Sequence, residues 1–249
     1  MDELLKIVFG LSRGAKVLDV GCGSGGLVER LRNAGFDAYG ADLPNFLPKK
    51  RPPFIVPIDA RTTTNSTVSF VIITAYRLPF EDASFDAVVS TSVLEHVKNK
   101  PEFFAEVHRV LKPGGLSLNS FPGRHYLPTE THLKVPLIAS MWPHIPDFWL
   151  ALWAVLGVRN EFQRSKDWRT VYRENREFCR DSLSYWTVSE YRQFLLSSGF
   201  ENFRCGTDDF LEHATGGYAA LLRRLRLPSF VRSALRDLRD VTIAAEKTS

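Results

Sequence analysis

Two aspartates and a group of glycines near the start of the chain have the residue types and spacing to bind a nucleotide. The stretch KVLDVGCGSGGL, residues 16–27, places an apolar run before a glycine-rich loop. Its glycines fit G-x-G-x-x-G at Gly21, Gly23 and Gly26, and also G-x-G-x-G at Gly21, Gly23 and Gly25. Both spacings let the backbone approach a ligand at the start of a helix. The loop alone leaves open whether that ligand is a dinucleotide or a nucleoside without phosphates.

The two aspartates favour the second kind of ligand. Asp19 precedes Gly21 by two residues, at the end of an apolar strand that should be buried. A buried carboxylate without a partner is costly, so Asp19 needs a cation or donor, and a ligand ammonium group would supply one. Asp42 closes the next strand, where a carboxylate can accept both ribose hydroxyls of either ligand. Asp19 therefore favours an amino-acid nucleoside, the structural alternative being a carboxylate that caps the next helix.

Short β-type runs alternate with helical patterns over the first two-thirds of the chain, which predicts an α/β fold with a parallel sheet. The predicted strands are residues 16–20, 37–41, 69–73, 85–90, 115–121, 200–205 and 240–246. The predicted helices are 26–34, 101–111, one that begins at a Thr187–Glu190 capping box and ends at Gly199, and two basic helices at 217–226 and 229–239.

Two later stretches, LPFEDASFDAVVSTSVLEHV (78–97) and EVHRVLKPGGLSLNSFP (106–122), closely resemble the class I S-adenosylmethionine-dependent methyltransferases. The branch is methyltransferase type 11, which is UbiE/UbiG-like. The resemblance covers roughly residues 14–122 and 185–205 and the final strand. It implies a Rossmann-like sheet of seven strands in the order 3-2-1-4-5-7-6, the last antiparallel. Residues 1–249 would be one methyltransferase domain with a core at 14–122, 185–205 and 240–247. Insertions at 123–184 and 206–239 would form a helical cap over the substrate pocket.

The same resemblance implies S-adenosyl-L-methionine as the cofactor and assigns its contacts. Asp19 and the loop residues Gly21, Cys22, Gly23 and Gly25 would hold the methionyl part, Asp42 the ribose, and Leu43 would flank the adenine. Thr74 and Ala75, after the third strand, would reach the adenine edge. The family often has Asp where Thr74 stands, and Asp59 is the weaker alternative. Ser90, Thr91 and Ser92, after the fourth strand, would line the floor near the sulfonium.

Glu95 and His96 form a pair that recurs in this branch. Some relatives bind a metal there with a further Glu three residues earlier, but that position is Ser92 here. We therefore predict no metal and a structural or substrate-floor role for the pair. Asp86 is predicted to brace the edge of its strand rather than contact ligand.

The stretch PGRHYLPTETHLKVP, residues 122–136, leaves the fifth strand at the edge where open α/β sheets bind ligands. His125, Glu130 and His132 are candidates for a general base, because His and Glu can be tuned to take a proton near neutral pH. The alternative is a surface loop with incidental histidines. The cluster resembles an insertion of methyltransferases found with polysaccharide and lipid-linked sugar biosynthesis.

Charge, cysteine content and two clusters of side chains limit which partners and compartment the sequence predicts. The net charge of +4 does not by itself indicate nucleic acid, and three cysteines without paired spacing predict a reducing, cytoplasmic compartment. Six arginines in residues 221–240 indicate either a solvated face or a contact with phosphate or anionic membrane. Four aromatic residues indicate a cap core or, less favourably, an apolar acceptor groove: Trp142, Phe148, Trp149 and Trp153.

We therefore predict an enzyme that transfers methyl from S-adenosylmethionine to a small acceptor. The charge and the cap favour a phosphorylated, nucleotide-linked or lipid-linked acceptor such as a sugar, with a quinone-like acceptor as the alternative. A nucleic-acid methyltransferase is less favoured, since STSVL rather than an NPPY-type motif follows strand four. A non-catalytic cofactor-binding module would show a broken loop, and this loop is intact.

Overall fold

The structure is a computed structural model that describes residues 10–63, 72–127, 129–206, 231, 237–238 and 240–249. Its strands are β1 (Lys16–Val20), β2 (Asp37–Asp42), β3 (Ile55–Pro57), β4 (Asp59–Thr63), β5 (Ile72–Arg77), β6 (Phe85–Thr91), β7 (Leu111–Pro122), β8 (Phe200–Cys205) and β9 (Asp240–Lys247). Its helices are α1 (Gly26–Asn33), α2 (Lys100–Val110), α3 (Ile138–Met141), α4 (Asp147–Val155), α5 (Trp168–Asp181) and α6 (Val188–Ser197).

Seven of these strands form one sheet in the spatial order β3-β2-β1-β6-β7-β9-β8. Numbered by their sequence within this sheet, they give the order 3-2-1-4-5-7-6. Strand β9 runs antiparallel to both β7 and β8, while the pairs on the other side of β7 are parallel. The predicted α/β fold and strand order are confirmed. The carboxyl ends of β1, β2 and β6 consequently lie at one edge of the sheet, with the glycine loop after β1.

The third strand of the sheet is β3, and the prediction of a strand at 69–73 in this place is wrong. Strands β4 and β5 form a separate antiparallel hairpin between β3 and β6. Residues 55–57 and 69–73 are both rich in branched apolar residues, so either sequence pattern fits the third strand of the sheet. The stretch that enters the sheet is only three residues long and ends at Pro57, which is tolerated because β3 lies at the sheet edge.

Other boundaries agree within a few residues. Helix α6 begins after the capping box of Thr187 and Glu190, in which both reciprocal hydrogen bonds are present, as predicted. Strand β7 begins at Leu111 rather than at residue 115. The predicted basic helices at 217–226 and 229–239, with their arginines, lie outside the described residues apart from 231, 237 and 238.

Apolar residues fill both faces of the sheet. One cluster includes Leu18, Phe104 and Tyr191, and the other includes Val17, Leu31 and Leu118. At the opposite end from the glycine loop, the Asp86 carboxylate accepts a hydrogen bond from the backbone N–H of Lys16 (2.7 Å) and pairs with Lys112 Nζ (2.6 Å). The predicted bracing role of Asp86 is confirmed.

The segment after β7 builds an apolar cluster of its own. Its buried members include Leu133, Ile138, Leu150 and Phe178, and Trp142, Trp149 and Trp153 pack against it. Phe148 is 69% exposed, so its prediction as cap core is wrong: it lies on the outer face of α4. No helix in the described ranges is long and apolar enough to cross a membrane.

Candidate functional site

The glycine loop after β1 adopts a backbone that requires glycine. Gly21 and Gly25 have φ of 82° and 89°, in the left-handed region that side chains disfavour. A Cβ atom at Gly21 would collide with the side chain of Val93, and one at Gly25 with that of Ile55. Gly26 has neither a positive φ nor an atom within 4 Å of a Cβ built there. The functional spacing is therefore G-x-G-x-G.

Asp42 holds the loop against the end of β2. Its Oδ2 accepts a hydrogen bond from the backbone N–H of Gly23 (2.7 Å), and its Oδ1 accepts one from Leu43 (2.7 Å). Burial raises the pKa of Asp42, and these two N–H donors oppose the rise. A carboxylate can accept about four hydrogen bonds, so capacity remains for ligand hydroxyls.

Asp19 lies beside this arrangement, at the end of β1. Its residue is 3% exposed, and within the described part of the chain its carboxylate accepts no hydrogen bond. Burial, with the neighbouring charge of Asp42, raises the pKa of Asp19 to about 7. A ligand cation at this position would stabilise the ionised carboxylate. The residues therefore fit a nucleoside that carries an ammonium group.

Two neighbouring residues mainly serve the core. The Cys22 side chain is buried against Gly40 and Val28 and contributes packing; the cofactor contact of this loop residue stays a prediction. Burial raises the pKa of its thiol to about 12. Leu43 is also buried, in the opposite apolar cluster, and follows the ribose candidate Asp42 directly; its contact with adenine stays a prediction.

The predicted adenine contacts need correction. Thr74 and Ala75 do not follow the third strand of the sheet; they lie within β5 of the separate hairpin. The residues that follow β3 are Ile58 and then Asp59, which begins β4. The backbone N–H of Ile58 donates to the carbonyl of Asp42 (2.8 Å), which keeps this turn beside the ribose candidate. The sequence analysis gives Asp59 as the weaker alternative to Thr74 for the adenine contact, and the position of Asp59 after β3 now favours it.

Strand β6 is one residue longer than predicted, so Ser90 and Thr91 are its last members and only Ser92 follows it. The Ser90 hydroxyl donates to Asn119 Oδ1 on β7 (2.8 Å), which commits it to the sheet. The Thr91 hydroxyl is buried and has no hydrogen-bond partner among the described residues. Ser92 turns the chain with φ 55°. Thr91 is accordingly the better candidate for a ligand contact.

Three polar side chains converge just beyond this turn: Glu95 and His96 after β6, and His132 in the loop after β7. We call them the carboxylate–histidine cluster. Each offers one ligand atom, and these atoms all lie within 4.8 Å of one another. Burial raises the pKa of Glu95 to about 7 and lowers that of His96 to about 4. The sequence placed Glu95 and His96 together but gave no signal that a loop 36 residues later would join them.

The candidate bases have different positions. Glu130 is 1% exposed and accepts hydrogen bonds from the backbone N–H groups of His132 (2.8 Å) and Leu133 (2.6 Å) and from His132 Nδ1 (2.7 Å). Through these three hydrogen bonds Glu130 positions the loop and His132; its general-base role stays a prediction. His125 lies elsewhere, with Nδ1 3.3 Å from Ser140 Oγ.

His132 reaches the wall of a cavity of about 720 Å³. Residues of the segment after β7 form most of the wall, and Phe46 from the β2–β3 connection completes it. Two lining aromatics are exposed, Phe46 by 43% and Phe162 by 76%. The lining cations are Lys134, Arg159, Arg164 and Lys166, and the lining anions are Glu161 and Glu174. The cavity can hold a molecule with both an apolar and an anionic part.

Comparison with known proteins gives matches to one family. Residues 18–118 match the methyltransferase domain family. The chain is 32% identical over 113 residues to a ubiquinone biosynthesis O-methyltransferase of Roseobacter denitrificans, covering 45% of this chain and 43% of that protein. It is 38% identical over 107 residues to a 2-methyl-6-phytyl-1,4-hydroquinone methyltransferase of Synechocystis sp., covering 43% and 31%. The chain thus spans less than half the length of these curated relatives.

Among solved structures, phosphoethanolamine N-methyltransferase 2 of Haemonchus contortus in complex with S-adenosyl-L-methionine is similar in fold. The TM-score is 0.52 at 18% identity, covering 99% of this chain and 52% of that one. At this identity the likeness concerns the fold alone.

Proposed function

We propose, from the match of residues 18–118 to the methyltransferase domain family, that this protein transfers the methyl group of S-adenosylmethionine to a small-molecule acceptor. One observation carries the proposal: the buried Asp19 carboxylate has no hydrogen-bond partner among the described residues, and it lies beside a glycine loop that Asp42 fastens. The methionyl ammonium group of S-adenosylmethionine supplies that partner. The remaining acceptor sites of Asp42 would hold the ribose hydroxyls, and Leu43 and Asp59 would flank the adenine.

The reaction is an in-line displacement. A lone pair of the acceptor atom forms a bond to the methyl carbon while the carbon–sulfur bond breaks. The electron pair of that bond returns to sulfur and leaves S-adenosylhomocysteine. Because the sulfonium is already a reactive methyl donor, catalysis comes chiefly from holding the acceptor and the methyl group in line. An acceptor hydroxyl would also lose its proton.

The acceptor we propose carries a phosphate or another anionic group on an apolar body, as a phosphorylated or lipid-linked compound does, a sugar derivative included. Support comes from the cavity beside His132, where Lys134 and Arg164 stand among exposed aromatic side chains. The insertion at 123–184 is proposed as the cap of this pocket. It returns to the core through Ser184, whose backbone N–H donates to the Glu95 carbonyl (2.7 Å).

A quinone-like acceptor is the second candidate. Phe46 and Phe162 would stack on an aromatic ring. The names of two relatives, a ubiquinone biosynthesis enzyme and a hydroquinone methyltransferase, point to the same chemistry.

The test is transfer of a radiolabelled methyl group from S-adenosylmethionine to two acceptor panels, one of phosphorylated and lipid-linked compounds and one of hydroxylated quinones. We expect labelled product with the first panel and none with Asp19→Asn. Product with quinones alone would select the second candidate. Tight cofactor binding with no product from either panel would contradict the proposed reaction and favour a cofactor-binding module.

A further inference from the structure

The carboxylate–histidine cluster brings together side chains from two connections of the fold. Glu95 and His96 follow β6, and His132 belongs to the loop after β7. Their ligand atoms lie within 4.8 Å of one another. The rings of His96 and His132 are in edge contact, with centroids 4.8 Å apart. A carboxylate and two imidazoles form the donor set of many zinc and iron sites.

Both imidazole rings are oriented as metal-bound histidines usually are. His132 Nδ1 lies 2.7 Å from the Glu130 carboxylate, and His96 Nδ1 lies 2.7 Å from the Ser182 carbonyl. Each acceptor receives the Nδ1 hydrogen, so Nε2 is the ring nitrogen through which each histidine would bind a cation. A hydrogen bond from the second ring nitrogen to a carboxylate or carbonyl is the usual support of a metal-ligating histidine. A histidine on a solvent-exposed loop does not require such a hydrogen bond to orient its ring.

Glu95 provides the independent sign that a ligand is expected. Its residue is 1% exposed, and neither carboxylate oxygen has a hydrogen-bond partner among the described residues. His96 Nε2 lies 4.0 Å from Glu95 Oε1, beyond hydrogen-bond distance. Lys100 donates its hydrogen bonds elsewhere, to the Val97 carbonyl and to Ser184. Buried carboxylates are normally paired or bound to a metal.

We propose that Glu95, His96 and His132 bind one divalent transition-metal cation of the zinc class. Nitrogen and oxygen ligands around such an ion lie about 3.4 Å apart when each bond is about 2.1 Å. Closing the cluster therefore needs side-chain shifts of about 1 Å. The sequence prediction of no metal rested on Ser92, and the site proposed here does not use that position. His132 supplies the third ligand instead, and its general-base role is replaced by a ligand role.

Three protein ligands leave a coordination position open. Since His132 lines the 720 Å³ cavity, an acceptor oxygen bound in that cavity could take this position. This orienting role rests on the proposed function, whereas the binding of the cation does not. Zn²⁺ would also cross-link the loop after β7 to the segment after β6 through their side chains.

The experiment uses the full-length protein after removal of metals by chelation. Zn²⁺ is titrated calorimetrically, and Co²⁺ is added as a spectroscopic probe, because its visible absorption bands report nitrogen and oxygen ligands directly. Glu95→Gln, His96→Ala and His132→Ala are compared with His144→Ala, an exposed histidine of the same insertion. Thermal unfolding and S-adenosylmethionine binding are measured for each variant to show that it is folded.

We expect one Zn²⁺ per chain and Co²⁺ bands for the wild type and His144→Ala. Glu95→Gln and His132→Ala should weaken Zn²⁺ binding at least 100-fold and lose the bands while the fold is kept. Absence of stoichiometric Zn²⁺ binding in the wild type would overturn the proposal, as would wild-type affinity in Glu95→Gln. Zn²⁺ binding without cofactor binding would uphold the metal site and contradict the proposed function, so the two failures are distinguishable.

Discussion

The carboxylate of Asp42 accepts a hydrogen bond from the backbone N–H of Gly23 at 2.7 Å, which fastens the glycine loop to the end of β2. Asp19, buried at the end of β1, lies close enough for the charge of Asp42 to raise its pKa. Two carboxylates therefore lie at one end of the sheet. Backbone N–H groups stabilise that of Asp42, whereas that of Asp19 has no hydrogen-bond partner among the described residues. The following predictions derive from this arrangement.

Gly25→Ala should weaken S-adenosylmethionine binding at least tenfold and destabilise the fold by about 1–3 kcal/mol, because alanine at φ 89° is strained and its Cβ meets Ile55. Gly26→Ala is the matched control, since a Cβ there meets nothing within 4 Å. Calorimetry and thermal unfolding measure both effects. Equal behaviour of the two variants would contradict the G-x-G-x-G assignment.

Asp19→Asn should stabilise the protein without ligand at pH 8, while S-adenosylmethionine binding is lost. The folded-state pKa of Asp19, about 7, lies above the ordinary value of 3.8. Its contribution to stability is therefore fully present below pH 3.8 and is lost as the pH rises through 7. The amide removes that cost. Thermal unfolding should show a larger gain at pH 8 than at pH 5, because the contribution falls progressively between pH 3.8 and 7. A loss of stability at pH 8 would contradict this account.

The affinity for S-adenosylmethionine should fall as the pH is lowered from 7 to 5.5. Asp19, with a pKa of about 7, is then increasingly protonated, whereas the cofactor's amino group stays charged because α-amino groups titrate near about 8. The dissociation constant should rise by up to about tenfold per pH unit. Titrations at pH 6 in two buffers of different ionisation enthalpy should show proton release on binding. Binding that is independent of pH would argue against a pair between Asp19 and the ammonium group.

Asp59→Ala should weaken cofactor binding by about 10- to 100-fold, the loss expected for a hydrogen bond to a charged acceptor. Asp59 follows the edge strand β3, where the adenine of the cofactor would lie. Thr74→Val is the control, since Thr74 lies inside β5 of the hairpin, whereas Asp59 comes two residues after the end of β3. Should Thr74→Val weaken binding more than Asp59→Ala, the correction made from the topology would itself be wrong.

Arg164→Ala should raise the KM for an anionic acceptor about tenfold, the loss of about 1.4 kcal/mol expected when one cation no longer pairs with the acceptor. The dissociation constant of S-adenosylmethionine should be unchanged, because Arg164 lines the cavity rather than the glycine loop. Arg192→Ala, an exposed arginine on α6, is the control. A KM unaffected by Arg164→Ala would remove this cavity from the acceptor site.

The sequence predicted the parts of the site that local pattern encodes. Asp19, the glycine loop and Asp42 follow directly from two strands, and strand ends set their positions. The predicted adenine contacts Thr74 and Ala75 were misplaced because two apolar stretches both fit the pattern of the third strand. Pairing of β3 with β2 at the sheet edge, rather than strand propensity, determines which stretch enters the sheet. The carboxylate–histidine cluster depends on how the loop after β7 folds back on the turn after β6. Such a long-range contact has no signature in spacing alone.

The central claim is that the buried Asp19 charge and the glycine loop receive S-adenosylmethionine. Calorimetric titration of the wild type with S-adenosylmethionine, and in parallel with NAD, tests it most directly. We predict micromolar binding of S-adenosylmethionine with one site per chain and no binding of NAD. Binding of NAD alone, or of neither molecule, would contradict the account.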